Sequence, residues 1–260
     1  MSKELVIKDI RLGSGVPIIC VPITASDPEA VLAEAGRLVE AGIKMIEWRL
    51  DYLKDCTNTN VIRQLLMDLK PVCEKTILLV TLRTSGQGGR ARIDEKTFVK
   101  TLMAVANSHA ADLIDVDYFF KKEGEGDLVA SLQREGVKVI ASQHDFRKTP
   151  SAMEMISNLL TMEESGADLV KIAVMPHSRE DVLRLLDAST SFTEYSETPL
   201  IAMAMGHLGI ISRVGGELFG SCVTFAAMGT ASAPGQLPVA DVREVMEILH
   251  RHFKPEGEDD

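Results

Sequence analysis

Lys171 and His144 are the residues whose chemistry is most at odds with their surroundings. The lysine sits in DLVKIAVMP (168–176), a run that otherwise suits a buried strand. Burying an ammonium costs several kcal/mol unless it is paired or its proton leaves. An amine kept short of its proton suits imine formation with a ketone or aldehyde. An unperturbed lysine, with a pKa of about 10.4, is almost wholly protonated at neutral pH. Removal from water, and repulsion by cations such as Arg83, Arg213 or protonated His144, are therefore expected to act on Lys171. The iminium would acidify the neighbouring carbon, and His144 in SQHDF (142–146) is the candidate base. An imidazole titrates near neutrality and can return the proton to a leaving hydroxyl. Loss of water and cleavage of a carbon–carbon bond both fit these two residues.

Period-two alternation gathers more polar residues on the same inward face. In IEWRLD (46–51), Glu47, Arg49 and Asp51 share one face and Ile46, Trp48 and Leu50 the other. Lys171 falls with Ala173 and Met175, opposite Val170, Ile172 and Val174. Arg83 ends the third strand on the face of Thr81, Asp115 and Asp117 share a face of the fourth, and His144 lies just past the end of the fifth. Taken singly, each has a structural reading. Glu47 and Arg49 can form an ion pair, His144 can be a hydrogen-bonded structural histidine, Met203 and Met205 can pack, and Gly215, Gly216 and Gly220 can serve turns. Their convergence at the carboxyl ends of several strands is what marks an active site.

Eight strand-length apolar runs position these residues: 17–24, 43–50, 76–83, 112–118, 137–143, 168–175, 199–205 and 220–226. Helical patterns occupy 27–42, 59–70, 95–108, 127–135, 150–165, 178–192 and 239–252, the first opening on Asp27-Pro28. The glycine-rich 206–219 is only marginally helical. Alternating β and α units imply a parallel sheet, and eight of them a closed barrel. TASDPEA, the first strand-to-helix turn, has no GxGxxG, which disfavours an open dinucleotide-binding sheet. LVIKD (5–9) can pair with IRLGS (10–14) as a hairpin plugging the barrel's bottom. The reading is one barrel domain over 1–253 and a disordered acidic tail over 254–260.

The chain has 260 residues, 45% hydrophobic and 25% charged, which suits a soluble globular protein. A net charge of −10 and the lack of a basic stripe argue against nucleic acid or an anionic membrane as partners. An acidic ligand would need a local cationic cluster. The N-terminal residues lack a signal peptide's apolar segment, and no run reaches the roughly 18 apolar residues of a span, so a cytoplasmic location is expected. Cys20, Cys56, Cys73 and Cys222 form no CxxC pair and have no metal-ligand spacing, so no metal site is expected.

IEWRLD (46–51), SQHDF (142–146), KIAVMP (171–176), ISRVGGELFGS (211–221) and SAPGQ (232–236) together give the chain its resemblance to the type I 3-dehydroquinate dehydratases of the shikimate pathway. The resemblance implies a (β/α)8 TIM barrel, usually a homodimer. It also implies conversion of 3-dehydroquinate to 3-dehydroshikimate and water by syn elimination, without metal or organic cofactor. Lys171 would match the imine-forming lysine and His144 the general base and acid. Arg213, with Ser232 and Gln236, would match the carboxylate-binding group, and a guanidinium fork suits that anion. Glu47, Arg49 and Arg83 would match residues that bind the ring hydroxyls, and Met203, Met205 and Phe225 an apolar wall. The segment Ala226 to Leu237 resembles a closing loop, with Gly229 and Gly235 as hinge candidates. One departure stands out: RTSGQGG places Gln87 where the family has glutamate. A glutamine can hydrogen-bond an imidazole but stabilises its positive charge less than a carboxylate does. Competing readings are an imine-forming aldolase, a metal-dependent barrel using Glu47, Asp115, Asp117 and His144, and a non-catalytic or weakly active relative that binds the same keto acid.

Overall fold

The computed structural model describes residues 4–120, 128–229 and 232–253. The tail 254–260, the predicted helix start at Asp127, and Thr230 and Ala231 of the closing loop lie outside the described residues.

The chain opens with β1 (Leu5–Ile7) and β2 (Ile10–Leu12), an antiparallel hairpin. Its turn places Lys8 and Asp9 at φ 49° and 62°, the left-handed geometry that matches strand twist in a two-residue hairpin. Ile7 and Leu12 bury against the lower lumen of a barrel, as expected of a plug. The Lys8 ammonium fastens it, donating to the carbonyls of Cys73 at 2.7 Å and Thr76 at 3.1 Å and pairing with Asp112 at 2.7 Å.

Eight strands among the described residues form that barrel: β3 (Ile18–Ile23), β4 (Met45–Arg49), β5 (Ile77–Thr81), β6 (Leu113–Asp117), β7 (Lys138–Asp145), β8 (Leu169–Val174), β9 (Leu200–Ala204) and β10 (Val223–Phe225). Every ladder is parallel, from β10 beside β3 round to β9. The seam between β9 and β10 closes through the bridge of Leu200 to Ser221, where the Ser221 hydroxyl accepts the Ala202 N–H at 3.0 Å.

The crossovers are α1 (Pro28–Glu40), α2 (Thr59–Val72), α3 (Glu95–Ala106), α4 (Leu128–Arg134), α5 (Ala152–Glu164) and α6 (Arg179–Tyr195). Their starts follow side-chain chemistry. Asp27, Asn58, Asp94, Ser151 and Ser178 each accept orphan backbone N–H groups, with Ser178 and Asp181 forming a reciprocal capping box. After β9 come two short helices, α7 (Ile210–Val214) and α8 (Gly216–Phe219), and after β10 the long α9 (Val239–His252). The weak pattern over 206–219 thus resolves into one-turn pieces. Gly209 lies so close to β9 that a Cβ there would sit 2.0 Å from the Ala204 carbonyl oxygen.

Two apolar clusters separate cleanly by strand parity. Ile46, Trp48, Val170, Ile172 and Val174 face the helix layer, while Met45, Leu113, Leu169 and Val223 fill the lumen. His144 corrects the sequence expectation: it lies within β7, opposite Ala173, because pairing with β8 continues through Asp145. No helix among the described residues is long and apolar enough to cross a membrane.

Candidate active site

Met45, Leu113, Leu169 and Val223 come from alternate strands, the arrangement by which such barrels fill their interior in layers. Two residues further along the same four strands stand Glu47, Asp115, Lys171 and Phe225. The apolar floor therefore gives way to a polar storey one side chain higher, and above it the barrel opens. A pocket of about 520 Å³, counting its mouth, is lined by Glu47, Arg49, Arg83, Gln87, His144, Lys171, Met203, Met205, Arg213, Phe225, Ser232 and Gln236. Every site residue expected from the sequence reaches this one pocket.

Lys171 is 3% exposed, and its Nζ donates to Asp115 at 2.9 Å while lying 4.4 Å from the centre of the Phe225 ring. The sequence reading named cations near Lys171 and no counter-ion; the structure adds a carboxylate as its ion-pair partner. Asp115 in turn pairs with Arg83 at 2.8 Å and accepts the Ser142 hydroxyl at 2.5 Å. Burial would raise the carboxyl pKa of Asp115, but Arg83 and Lys171 overcome it and hold the group far below the usual range. Burial likewise lowers Arg83, and Asp115, Asp117 and Glu47 more than reverse this, so its charge is permanent. Arg83 also binds Asp117 and the Ser142 oxygen. Glu47 accepts the Thr81 hydroxyl at 2.7 Å.

The tautomer of His144 follows from Gln87. The Gln87 side-chain oxygen accepts the His144 backbone N–H at 2.9 Å, so the atom facing the ring must be oxygen rather than the amide nitrogen. The same oxygen lies 3.3 Å from Nδ1, which must therefore carry the proton. Nε2 keeps its lone pair, as a general base requires. Removal from water, then the charges of Arg83 and Lys171, hold the imidazole well below its ordinary 6.5 against the opposing pull of Asp115. The neighbouring Gln143 points outward, accepting from Asn158 at 2.9 Å.

Arg213 is 1% exposed, and among the described residues no carboxylate pairs with it. Its Nη2 donates to the Pro234 carbonyl at 3.0 Å, and its Nε finds no partner. Burial brings the guanidinium down to about 10. Beside it Ser232 and Gln236 hydrogen-bond each other, the Ser232 N–H reaching the Gln236 oxygen at 2.8 Å. Gly235, one of the two hinge candidates, makes a close approach: a Cβ there would lie 2.3 Å from the Gly206 carbonyl oxygen. Among the described residues no group of three or more His, Cys, Asp or Glu side chains could hold a metal ion, and Asp115 is occupied by two cations.

A model of the Type I 3-dehydroquinase family matches residues 19–252. The chain belongs to this family. The 3-dehydroquinate dehydratase of Listeria monocytogenes serotype 4a is 38% identical over 250 residues, covering 96% of this chain and 99% of that one. Among solved structures, the 3-dehydroquinate dehydratase of Geobacillus kaustophilus HTA426 aligns at a TM-score of 0.92 with 34% identity, covering 97% of this chain and 98% of that chain. The type I enzyme of Clostridium difficile, crystallised with covalently modified comenic acid, aligns at 0.91 with 38% identity, covering 97% and 100%. As a type I 3-dehydroquinase, the chain is an enzyme of the hydro-lyase class. The reading as a non-catalytic relative is not favoured.

Sequence reasoning placed Asp115 and Asp51 on inward faces without giving them a part in a type I site, and it passed over Ser142. Asp51 holds Arg49 through Nε at 2.8 Å and Nη2 at 2.9 Å. The available signal was parity, since each of the three shares an inward face with a residue that was singled out. What parity cannot show is which inward residues of different strands meet.

Proposed function

We propose that the chain converts 3-dehydroquinate to 3-dehydroshikimate and water through an imine on Lys171, with His144 moving the proton. The observation that carries this reading is the convergence on one pocket of a buried lysine, a histidine with its Nε2 lone pair free, and a guanidinium that lacks a carboxylate partner.

Arg213, with Ser232 and Gln236, takes the substrate carboxylate in a charge-assisted pair. Glu47, Arg49 and Arg83 orient the ring hydroxyls, and Met203, Met205 and Phe225 wall the reacting carbon from water. Ammonium plus ketone gives iminium plus water, with one positive charge on the same nitrogen before and after. Asp115 therefore serves as counter-ion to both forms, which reconciles a paired lysine with imine chemistry. His144 takes the extra proton, the free amine attacks the carbonyl carbon, and the carbonyl oxygen, having received one proton from the nitrogen and the other back from His144, leaves as water.

The iminium draws electrons from the adjacent C2–H bond, and His144 Nε2 accepts that proton. Since the imidazole is held well below 6.5, the imidazolium formed is more acidic than a free one and passes the proton to the C1 hydroxyl, which departs as water. One base acting on one ring face gives syn elimination. Water then releases the product from Lys171. Each step falls to a side chain, so the scheme calls for no metal or organic cofactor. A homodimer in the cytoplasm belongs to the same proposal, and sedimentation velocity checks the dimer.

The deciding experiment is incubation with 3-dehydroquinate and borohydride followed by peptide mass mapping. A reduced adduct on Lys171, absent from Lys171→Ala along with turnover, is expected. Turnover by Lys171→Ala at the parent rate would overturn the scheme.

A further inference from the structure

The loop that carries Gln87 runs from Thr84 to Arg90, and a buried carboxylate holds each end. At one end Asp117 accepts the Thr84 backbone N–H at 2.9 Å and its hydroxyl at 2.7 Å while pairing with Arg83. At the other, Asp51 accepts the Arg90 backbone N–H at 3.0 Å while holding Arg49 in a two-pronged pair. Each carboxylate thus grips one pocket arginine and one end of the same loop. The exposed Arg90 guanidinium adds to the second grip by stacking on Tyr52, 3.9 Å from the ring centre.

Between these ends there is little room to shift. A Cβ on Gly88, at φ +78°, would lie 2.2 Å from the Phe146 ring, and one on Gly89 would lie 2.0 Å from the Arg83 carbonyl oxygen. Thr84 and Ala91 close the base of the loop as a bridge. Gln87, at the crest, is delivered to the backbone and ring of His144.

We propose that Asp51 is a positioning residue for the base: by clamping the Arg90 end of the loop it sets where Gln87 meets His144. One carboxylate then keeps the arginine that orients substrate in register with the imidazole that moves the proton. This rests on the reading of His144 given under the proposed function.

Asp51→Asn keeps the side chain's shape and removes its charge. Expected are a rise in KM from the loosened Arg49 and, in addition, a fall in kcat on the order of 10- to 100-fold, as for a small misplacement of a reacting group. In a Gln87→Ala background the same substitution should lower kcat by less than about threefold, because the path it acts through is already cut. Losses that multiply in the double variant, or a raised KM with the parent kcat, overturn the proposal and leave Asp51 a partner of Arg49 alone. If Asp51→Asn does not fold, Arg90→Pro tests the same clamp from an exposed position, because proline lacks the backbone N–H that Asp51 accepts. A severalfold loss of kcat that vanishes in the Gln87→Ala background supports the proposal, and a parent kcat overturns it. Borohydride trapping of the parent runs alongside. An adduct on Lys171 with either overturning result defeats this inference alone, whereas no adduct defeats the dehydratase reading and this inference with it.

Discussion

Replacing Arg213 by methionine is expected to make the protein more stable and worse at holding its substrate, two effects of opposite sign from one side chain. Arg213 is 1% exposed and carries its charge with no carboxylate beside it among the described residues. The fall from 12.5 to about 10 corresponds to roughly 3 kcal/mol of destabilisation, at about 1.4 kcal/mol per factor of ten. Below pH 10 the group is charged in both the folded and the unfolded chain. The full cost therefore applies at neutral pH and is relieved only as the pH rises past about 10. Methionine, flexible and uncharged, fills a buried space of irregular shape. It gives up the hydrogen bonds to the Pro234 carbonyl at 3.0 Å and, more weakly, the Phe225 carbonyl at 3.4 Å, together worth about 2 kcal/mol because the donor is charged. The Pro234 carbonyl still accepts the Gly206 N–H at 3.1 Å, so it is not left bare. The net gain is about 1 kcal/mol, or roughly 2–4 °C in Tm for a chain of this size. KM for the keto acid should rise on the order of 100-fold, the worth of a charge-assisted pair, while kcat changes far less because the carboxylate is bound in ground and transition state alike. Calorimetry without ligand and initial rates with 3-dehydroquinate give both numbers. A variant with lower Tm than the parent, or with the parent KM, would refute the account of Arg213 as a charge kept unpaired for an anion.

Three further outcomes follow from particular contacts. Gln87→Glu places a carboxylate at the 3.3 Å contact with Nδ1, so the acid limb of kcat against pH should move up by about one pH unit or more with faster turnover; an unmoved limb and rate would count against it. Because the folded imidazole of His144 lies well below 6.5, the unfolded chain takes up a proton first as pH falls. That contribution is flat above about pH 6.5 and destabilising below it, so the urea midpoint should drop from pH 7.5 to 5.0, and drop less in His144→Phe; equal drops would refute the assignment. Lys8→Met removes the donor that fastens the hairpin to Cys73, Thr76 and Asp112, and with the ammonium partly in solvent the loss is about 1–2 kcal/mol. Thermal unfolding should register it while kcat at 25 °C stays at the parent value; a reduced kcat would mean the plug also shapes the site.

Much of the architecture was legible because strand faces and helix starts are written locally. IEWRLD and DLVKIAV each declare an inward face by alternation alone, and Asp27-Pro28 and Ser178 mark helix starts through chemistry confined to one turn. The end of β7 was less legible: QHD is polar, and only the ladder to β8 keeps His144 in the strand. The short helices after β9 escaped because α7 is five residues long, too short for a period to register, although it is the element that carries Arg213.

From its own residues the sequence determined the inward faces of β4 and β8, the presence of a lysine, a histidine and an arginine that belong inside, and, through its motifs, the family. The tertiary structure alone decided that Lys171 meets Asp115. Those residues lie on β8 and β6 with all of β7 between them, and they touch only because a closed barrel stacks alternate strands in one layer. It alone decided, too, that Asp51 reaches the backbone of Arg90, 39 positions further along the chain. Alternation is a property of a few consecutive dihedral angles. The registers of a closed sheet are set by all eight strands at once, and no local stretch contains them.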